Sequence, residues 1–517
     1  MSQERSRLLH SRYNPEAEAE RYVASLSLNE NIEFFILVEP GLGYMAAPLK
    51  KRNPKAKIIS LHAEEHGRSE DIDSQWYPET GKSVQDFLEK EIPDSEALCV
   101  KLVEWRPALA VYGQRYLALV EEAAAFIRRS DANARTMKAF GPRWFRNFFT
   151  NLELVKKTIY PVPPNFAPIS LPVLVTGAGP GLEDSLPLIK NAGNRIFILA
   201  SSSSAAALEA GGLIPDMVIS TDGSQWAKLH LYEVCRGEGR RRYTRRYTRR
   251  YSRRGRRCLL AAATTAALPS QAEDMPVLLI SDGSLWQTLI LNGLNIPFVA
   301  LPQRGTVTAA ALDLAFTLTE GDVYIAGIDL ANRGIRTHSR PYSFDRLIEE
   351  KAGRVNPSYS QSYKRSSLLK AGGSYGVYAS WFEKQLASYP KRLHSLGKNN
   401  PLFASLDSSN PFVMDPGAEN RGSPKKGPNK ESFGQKLFNS RVICSDTREA
   451  GRRAFLILEN ALKEPIISNL LEEELKSLFF AGRNSANGKN ELNELIDAMH
   501  SSARFGQSGA HSGSENG

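Results

Sequence analysis

The chain is expected to be an α/β protein. Its centre should be a Rossmann-like, mostly parallel sheet, preceded by a smaller N-terminal α/β domain and followed by a helical C-terminal region. Three observations lead there. Short apolar runs alternate with helical patterns over about 160 residues, which is the signature of strand–helix–strand units. Three of those runs end in Val-Thr-Gly-Ala-Gly-Pro-Gly-Leu (175–182), Ile-Ser-Thr-Asp-Gly (219–223) and Ala-Gly-Ile-Asp-Leu-Ala-Asn-Arg-Gly-Ile-Arg-Thr-His (326–338). Each places Gly, Asp, Thr or His where a parallel strand ends, and ligands of open α/β sheets bind at that edge.

Taken in order, residues 1–30 read as polar and helical. Ile-Glu-Phe-Phe-Ile-Leu-Val (32–38) is a buried strand, followed by Glu-Pro-Gly-Leu-Gly-Tyr (39–44), a helix from about Ala46, and a second strand at 56–62. That is one βαβ unit. Gly41-Leu42-Gly43 could approach a phosphate but is only a fragment of a dinucleotide fingerprint, and a tight turn with close helix packing is the favoured reading. Glu64 or Glu65 stands where a ribose-binding acid would fall. The pattern from 105 to 160 is helical, and Pro161, Pro163, Pro164 and Pro168 then interrupt it, which puts the end of the first domain near 165.

Strands are expected at 172–177, 195–200, 216–220, 258–263, 276–281, 297–301 and 322–327, and helices at 182–191, 203–211, 284–293 and 305–318. The central domain therefore spans 166–407. Tyr375, Tyr378, Trp381 and Phe382 read as one amphipathic helix. Residues 408–435 read as a linker, 445–482 as helical, and the tail 483–517 as disordered by composition.

Charge and cysteine content narrow the classes. The formal net charge is +10, but residues 236–257 hold twelve Arg and one Glu, so the rest of the chain is close to neutral. This Arg-Arg-Tyr-Thr repeat suits a solvated loop insert between two strands, and its guanidinium groups and tyrosines could bind nucleic acid or anionic lipid headgroups. The four cysteines lack CxxC spacing, so no metal site is expected. No apolar run spans a membrane and no secretory signal is visible, so the expected compartment is the cytoplasm.

Several candidate site residues follow from their positions. Gly177, Gly179, Pro180 and Gly181 form a turn that opens a helix, where backbone N–H groups can meet an anion. Thr221, Asp222 and Gly223 follow a strand, and a carboxylate there can hold a ribose hydroxyl or a metal, or cap a helix. Arg304, Gly305 and Thr306 precede another helix and offer a second anion contact. Asp329 lies just past a strand. His338 follows in the same loop as a candidate acid or base.

The order GxGPxL, then Pro215 to Asp222, then the Gly-Thr-Val helix start, then Gly-x-Asp-Leu-Ala with Thr-His, resembles the motility accessory factor family and its 6-hydroxymethylpterin diphosphokinase (MptE-like) relatives. The helix carrying Trp144, Asn147 and Asn151 resembles the larger flagellar members. The pattern departs from the family at Gly181, where a Ser is usual, and at Ser201–Ser204, where an Asp-containing segment is usual. The resemblance implies a sialyltransferase-like enzyme that moves a nonulosonic acid from a CMP-activated donor to a Ser or Thr of a protein such as flagellin. In it the glycine turn meets the nucleotide, Asp222 orients the sugar, Arg304 offsets leaving-group charge, and Asp329 and His338 face the acceptor. No cofactor is required on that reading. A diphosphokinase, by contrast, would use ATP and Mg²⁺ with Asp222 or Asp329 among the metal ligands. A non-catalytic nucleotide-sugar-binding or interaction protein is a further alternative.

Overall fold

A computed structural model describes residues 9–65, 70–92, 99–155, 157–159, 171–235, 258–370, 378–379, 382, 391–396, 441–443, 447–464, 467–480 and 491–508. The arginine insert, the prolines at 161–168, Tyr375, Trp381 and the 408–435 stretch lie outside these residues. The chain separates into two compact units, one of residues 1–145 with 461–505 and one of 146–460 with 506–517.

The first unit contains α1 (Pro15–Ser25), β1 (Phe34–Val38), α2 (Ala46–Arg52), β2 (Lys57–Leu61), β3 (Ser74–Trp76), α3 (Val84–Glu91), β4 (Val100–Glu104), α4 (Pro107–Tyr112) and most of the long α5 (Gln114–Leu154). Its sheet runs β3-β2-β1-β4, all parallel. All five residues of β1 are buried, as a strand covered on both faces requires. Side-chain caps start α1 and α3: Asn14 accepts from the Ala17 N–H and Ser83 from the Asp86 N–H.

In the second unit β5 (Lys157–Ile159) follows α5. Then come β6 (Val173–Thr176), α6 (Leu182–Ala192), β7 (Phe197–Ser201), α7 (Ala205–Ala210), β8 (Met217–Ser220) and α8 (Lys228–Cys235). After the undescribed insert follow β9 (Leu259–Ala263), β10 (Val277–Ser281), α9 (Leu285–Gly293), β11 (Val299–Ala300), α10 (Val307–Leu318) and β12 (Val323–Ala326). The unit continues with α11 (Asp345–Glu350), α12 (Ser358–Lys370), β13 (Leu393–Ser395), β14 (Arg441–Ile443) and α13 (Thr447–Ala461). The sheet order is β13-β12-β6-β7-β8-β9-β10-β5-β14, with β11 beside β10; only the β14–β5 pair is antiparallel. The α/β class and the parallel sheet expected from the sequence are thus present.

The core lies between this sheet and α10, which crosses β6, β7 and β8. α10 is almost wholly apolar (Ala309, Ala310, Ala311, Leu312, Leu314, Ala315 and Leu318 are buried), and its small residues let it sit close to the strands. Because α10 returns from β11 to β12, β12 lands next to β6, and the turns after both strands meet at one edge.

One expectation is corrected. Residues 491–508 are helical (α15, after α14 at Ser468–Phe480), although the tail 483–517 reads as disordered by composition. Leu495 and Met499 are fully buried, one helical turn apart. The apolar stripe, rather than the polar average, decides this segment.

Candidate functional site

The glycine turn after β6 is closed by the turn after β12. The Gly177 N–H donates to the Ala326 carbonyl (2.8 Å), the Gly179 N–H to the Gly327 carbonyl (2.7 Å), and the Gly181 N–H to Asp329 Oδ2 (2.6 Å). The Leu182 N–H donates to the Gly179 carbonyl. This corrects the anion-binding role expected of the turn, because these amides already have acceptors within the chain. The glycines serve a close approach instead. A Cβ on Gly177 would run into the Gly327 carbonyl, and Cβ atoms on Gly179 or Gly181 would run into the Asp329 carboxylate. Pro180 lies between the last two.

Asp329 therefore fastens the turn rather than facing an acceptor. Burial raises its pKa above the ordinary carboxylate range, opposed by the Gly181 N–H and by Arg333. The loop beyond it is tied down at several points. Arg333 pairs with Asp184, Arg336 with Glu183, the Arg340 N–H donates to Glu183, and the Ser339 N–H donates to the Ala178 carbonyl (2.8 Å). These ties bring His338 against the glycine turn.

His338 lies in an aromatic and cationic cluster. Its ring stacks on Tyr342 with centroids 4.1 Å apart and planes at 16°. Its Nδ1 is 2.8 Å from Thr337 Oγ1. Arg365, from α12, lies over the Tyr342 ring at 5.3 Å and over Phe344 at 5.7 Å, and its Nη2 donates to the Tyr342 hydroxyl. His230, from α8, packs on Tyr342 and Phe344. Burial, with the Arg365 charge and His230 adding to it, pushes the His338 pKa down to about 3; burial likewise takes His230 to about 4. Both rings are neutral at neutral pH. A pocket opens here, lined by Arg336, Thr337, His338, Arg340, Tyr342 and Arg365 among others.

Asp222 belongs to the same region. Its charge is felt by both His230 and Tyr342. Its Oδ1 accepts from the Ser224 N–H (2.7 Å), so it also shapes its own turn. Thr221 and Gly223 flank it. Asn147 and Asn151, one turn apart on α5, brace this edge: Asn147 Nδ2 donates to the carbonyls of Gly223 and Thr265, and Asn151 Nδ2 to those of Thr264 and Ala266. Two hydroxyls near these residues, Ser220 Oγ and Ser339 Oγ, are buried and have no hydrogen-bond partner among the described residues.

Arg304, Gly305 and Thr306 are occupied elsewhere. Arg304 is paired with Asp313 of α10, about two turns inside the helix that Thr306 caps through the Ala309 N–H. Gly305 supplies a left-handed φ of +66° for that turn. Arg304 is thus tied to α10 rather than turned to a leaving group. Ser201, Ser203, Ser204 and Thr176 bond among themselves beneath the edge. Among the described residues no three His, Cys, Asp or Glu gather as a metal centre, and no helix is long and apolar enough to cross a membrane.

The sequence reading missed His230, Tyr342 and Arg365. Tyr342 and Phe344 carry a signal: two aromatics four and six residues past a loop histidine. Arg365 carries none, because α12 brings it in from another part of the chain.

Residues 144–238 match the family model described as 6-hydroxymethylpterin diphosphokinase MptE-like. The resemblance read from the motifs holds over that segment. An uncharacterized protein of Treponema pallidum (strain Nichols) is 26% identical over 306 residues, which are 59% of this chain and 61% of the relative. The solved structure of a MAf glycosyltransferase from Magnetospirillum magneticum AMB-1 aligns over 95% of this chain and 82% of that one, at 12% identity and a TM-score of 0.42.

Proposed function

We propose that the central unit is a glycosyltransferase-like enzyme that takes a sugar of the nonulosonic acid type from a CMP-activated donor and places it on a protein hydroxyl such as a flagellin Ser or Thr. One observation carries the reading: His338 and the half-buried Arg365 line one pocket at the carboxyl edge of the sheet, with the Tyr342 ring packed against both. Arg365 is the cation for an anionic donor, in place of Arg304. In the tautomer whose Nδ1–H donates to Thr337 Oγ1, Nε2 is the base nitrogen of His338. In the transfer the acceptor oxygen bonds to the anomeric carbon as the bond from that carbon to the CMP phosphate breaks. The acceptor proton passes to His338, and CMP leaves as an anion. Burial is the main cause of the depressed His338 pKa, and a donor anion beside Arg365 offsets the lesser contribution of the Arg365 charge.

The second reading is a pterin diphosphokinase, favoured by the description of the model matched over 144–238. Asp222 is its better candidate ligand, since the Asp329 carboxylate is committed to the Gly181 N–H. A non-catalytic binding role remains the outcome if no turnover is found.

Thermal shift with CMP, CMP-sugars, ATP-Mg²⁺ and 6-hydroxymethylpterin separates these readings, because a ligand that prefers the native state raises its melting temperature. Stabilisation by CMP ligands alone supports transfer; stabilisation by ATP-Mg²⁺ and the pterin alone replaces it with the kinase. His338→Ala should then cut turnover by about 10²–10⁴-fold with donor affinity nearly kept. Wild-type turnover in that variant would remove His338 from the mechanism.

A further inference from the structure

The N-terminal unit carries a crevice of its own. In the order β3-β2-β1-β4 the chain leaves β1 toward β2 on one side, and β4 lies on the other. The carboxyl ends of β1 and β4 thus flank a topological switch point, the place where open α/β sheets hold ligands. The turn after β1 has left-handed φ at Glu39 (+51°), Gly41 (+60°) and Gly43 (+80°). Trp105 follows β4.

The crevice is filled by the chain itself. His10 Nε2 accepts the Leu42 N–H of the turn at 3.1 Å. The imidazole stacks on Trp105 (5.5 Å between centroids, 27° between planes) and meets Tyr44 edge-on at 4.9 Å. The Trp105 indole N–H donates to the Leu9 carbonyl at 2.9 Å, holding the segment down. A Cβ on Gly41 would run into the His10 ring, so the glycine is what lets the ring sit so deep. A flat heteroaromatic ring with an acceptor nitrogen on a turn N–H and one face on an indole is how a nucleobase would sit. Tyr116, 2% exposed and in the same core as Leu9 and Trp105, has a hydroxyl with no hydrogen-bond partner among the described residues.

We propose that this crevice is a second binding site, for a nucleoside or nucleotide, and that Leu9–His10 is its intramolecular plug. The base takes the place of the imidazole on Trp105 and accepts the Leu42 N–H, and the plug swings out. The site is independent of the transfer reaction inferred for the central unit.

The full-length chain tests this by calorimetry with adenosine, cytidine and their 5′-monophosphates. Removing a competing plug raises apparent affinity by the reciprocal of the fraction of chains in which the site stood open, so with about one wild-type chain in ten open His10→Ala should bind one of these probes about tenfold more tightly. His10→Phe keeps a ring on Trp105 and should show no gain. Trp105→Ala in the His10→Ala background should lose the added binding, while Arg365→Ala in that background should keep it, which separates this site from the pocket of the central unit. Equal affinities in wild type and His10→Ala overturn the proposal. So does a His10→Ala chain that free imidazole stabilises and no nucleoside binds, since the histidine would then be packing alone. Should His10→Ala fail to fold, amide exchange in wild type decides: saturating probe must speed exchange at residues 9–14, and unchanged or slower exchange there overturns the plug.

Discussion

The two glycine turns of this protein, 39–43 after β1 and 177–181 after β6, start from the same local pattern and are closed in different ways. In the central unit the amides of Gly177, Gly179 and Gly181 are taken by the backbone of Ala326 and Gly327 and by the Asp329 carboxylate. In the N-terminal unit the Leu42 amide is taken by one imidazole borne on the segment before α1. The first closure is a weld of two strand ends deep in one sheet. The second is a contact made by one side chain. A glycine turn at a sheet edge is therefore not by itself an anion site; what matters is whether its amides are spent, and on what.

The largest effect that would sharpen this contrast is expected at Gly327. Its φ is +67°, and an added Cβ would meet the Gly177 carbonyl oxygen and the Leu182 Cβ, none of which can yield without moving a strand end or a helix start. Gly327→Ala should destabilise the central unit by about 3 kcal/mol or more, from left-handed strain plus overpacking. Gly305→Ala, with a similar φ but open space around it, should cost only about 1 kcal/mol. Urea denaturation of both variants checks it. Equal losses would mean that the weld is not a tight contact.

The sequence disclosed the scaffold well, and the reason is physical. Strands buried on both faces, such as Phe34–Val38 and Val277–Ser281, are unbroken apolar runs, and each expected central strand falls within a residue or two of an observed one. The site was less legible. Gly177, Asp222, Asp329 and His338 stand at strand ends, so their edge could be read. Whether an amide is spent depends on a partner about 150 residues away, as for Gly181 and Asp329, and no local pattern records that. Arg365 and His230 come from helices whose polar and apolar residues have no marked periodicity. Arg304, conspicuous beside a glycine, proved to be a partner of Asp313, about two helical turns inside α10.

Next in size is the response to acid expected at the central edge. His338 and His230 are held neutral when folded, with pKa values near 3 and 4 against 6.5 when unfolded. The unfolded chain binds more protons in that window, so their contribution is fully present above about pH 6.5 and is lost as pH falls below it. At about pH 5 each ring should cost the fold about 2 kcal/mol relative to neutral pH. Asp329 acts with the opposite sign. Its raised pKa makes its buried charge a penalty that lessens as pH falls toward its folded value. His338→Asn should therefore flatten the acid limb of the stability curve, measured by chemical denaturation across pH. A limb as steep as wild type would show that the ring protonates in place.

The smallest effect separates a movable plug from a weld most directly. Gly41→Ala places a methyl group against the His10 imidazole and also strains a φ of +60°. The strain, about 1 kcal/mol, stays whatever lies opposite. The clash does not, because its partner is the end of a side chain. In wild type the substitution should cost about 2 kcal/mol, strain and clash together. In a His10→Ala background only the strain should remain, so the two changes should couple by about 1 kcal/mol in a double-mutant cycle. No corresponding relief is available at Gly327, where the opposing atoms are a carbonyl oxygen and a helix Cβ. If Gly41→Ala costs the same in both backgrounds, the ring is not pressed into the turn, and the resemblance of His10 to a bound base is lost. If the cost vanishes altogether in His10→Ala, the turn itself relaxes once emptied, and the crevice is shaped by its occupant rather than by β1 and β4.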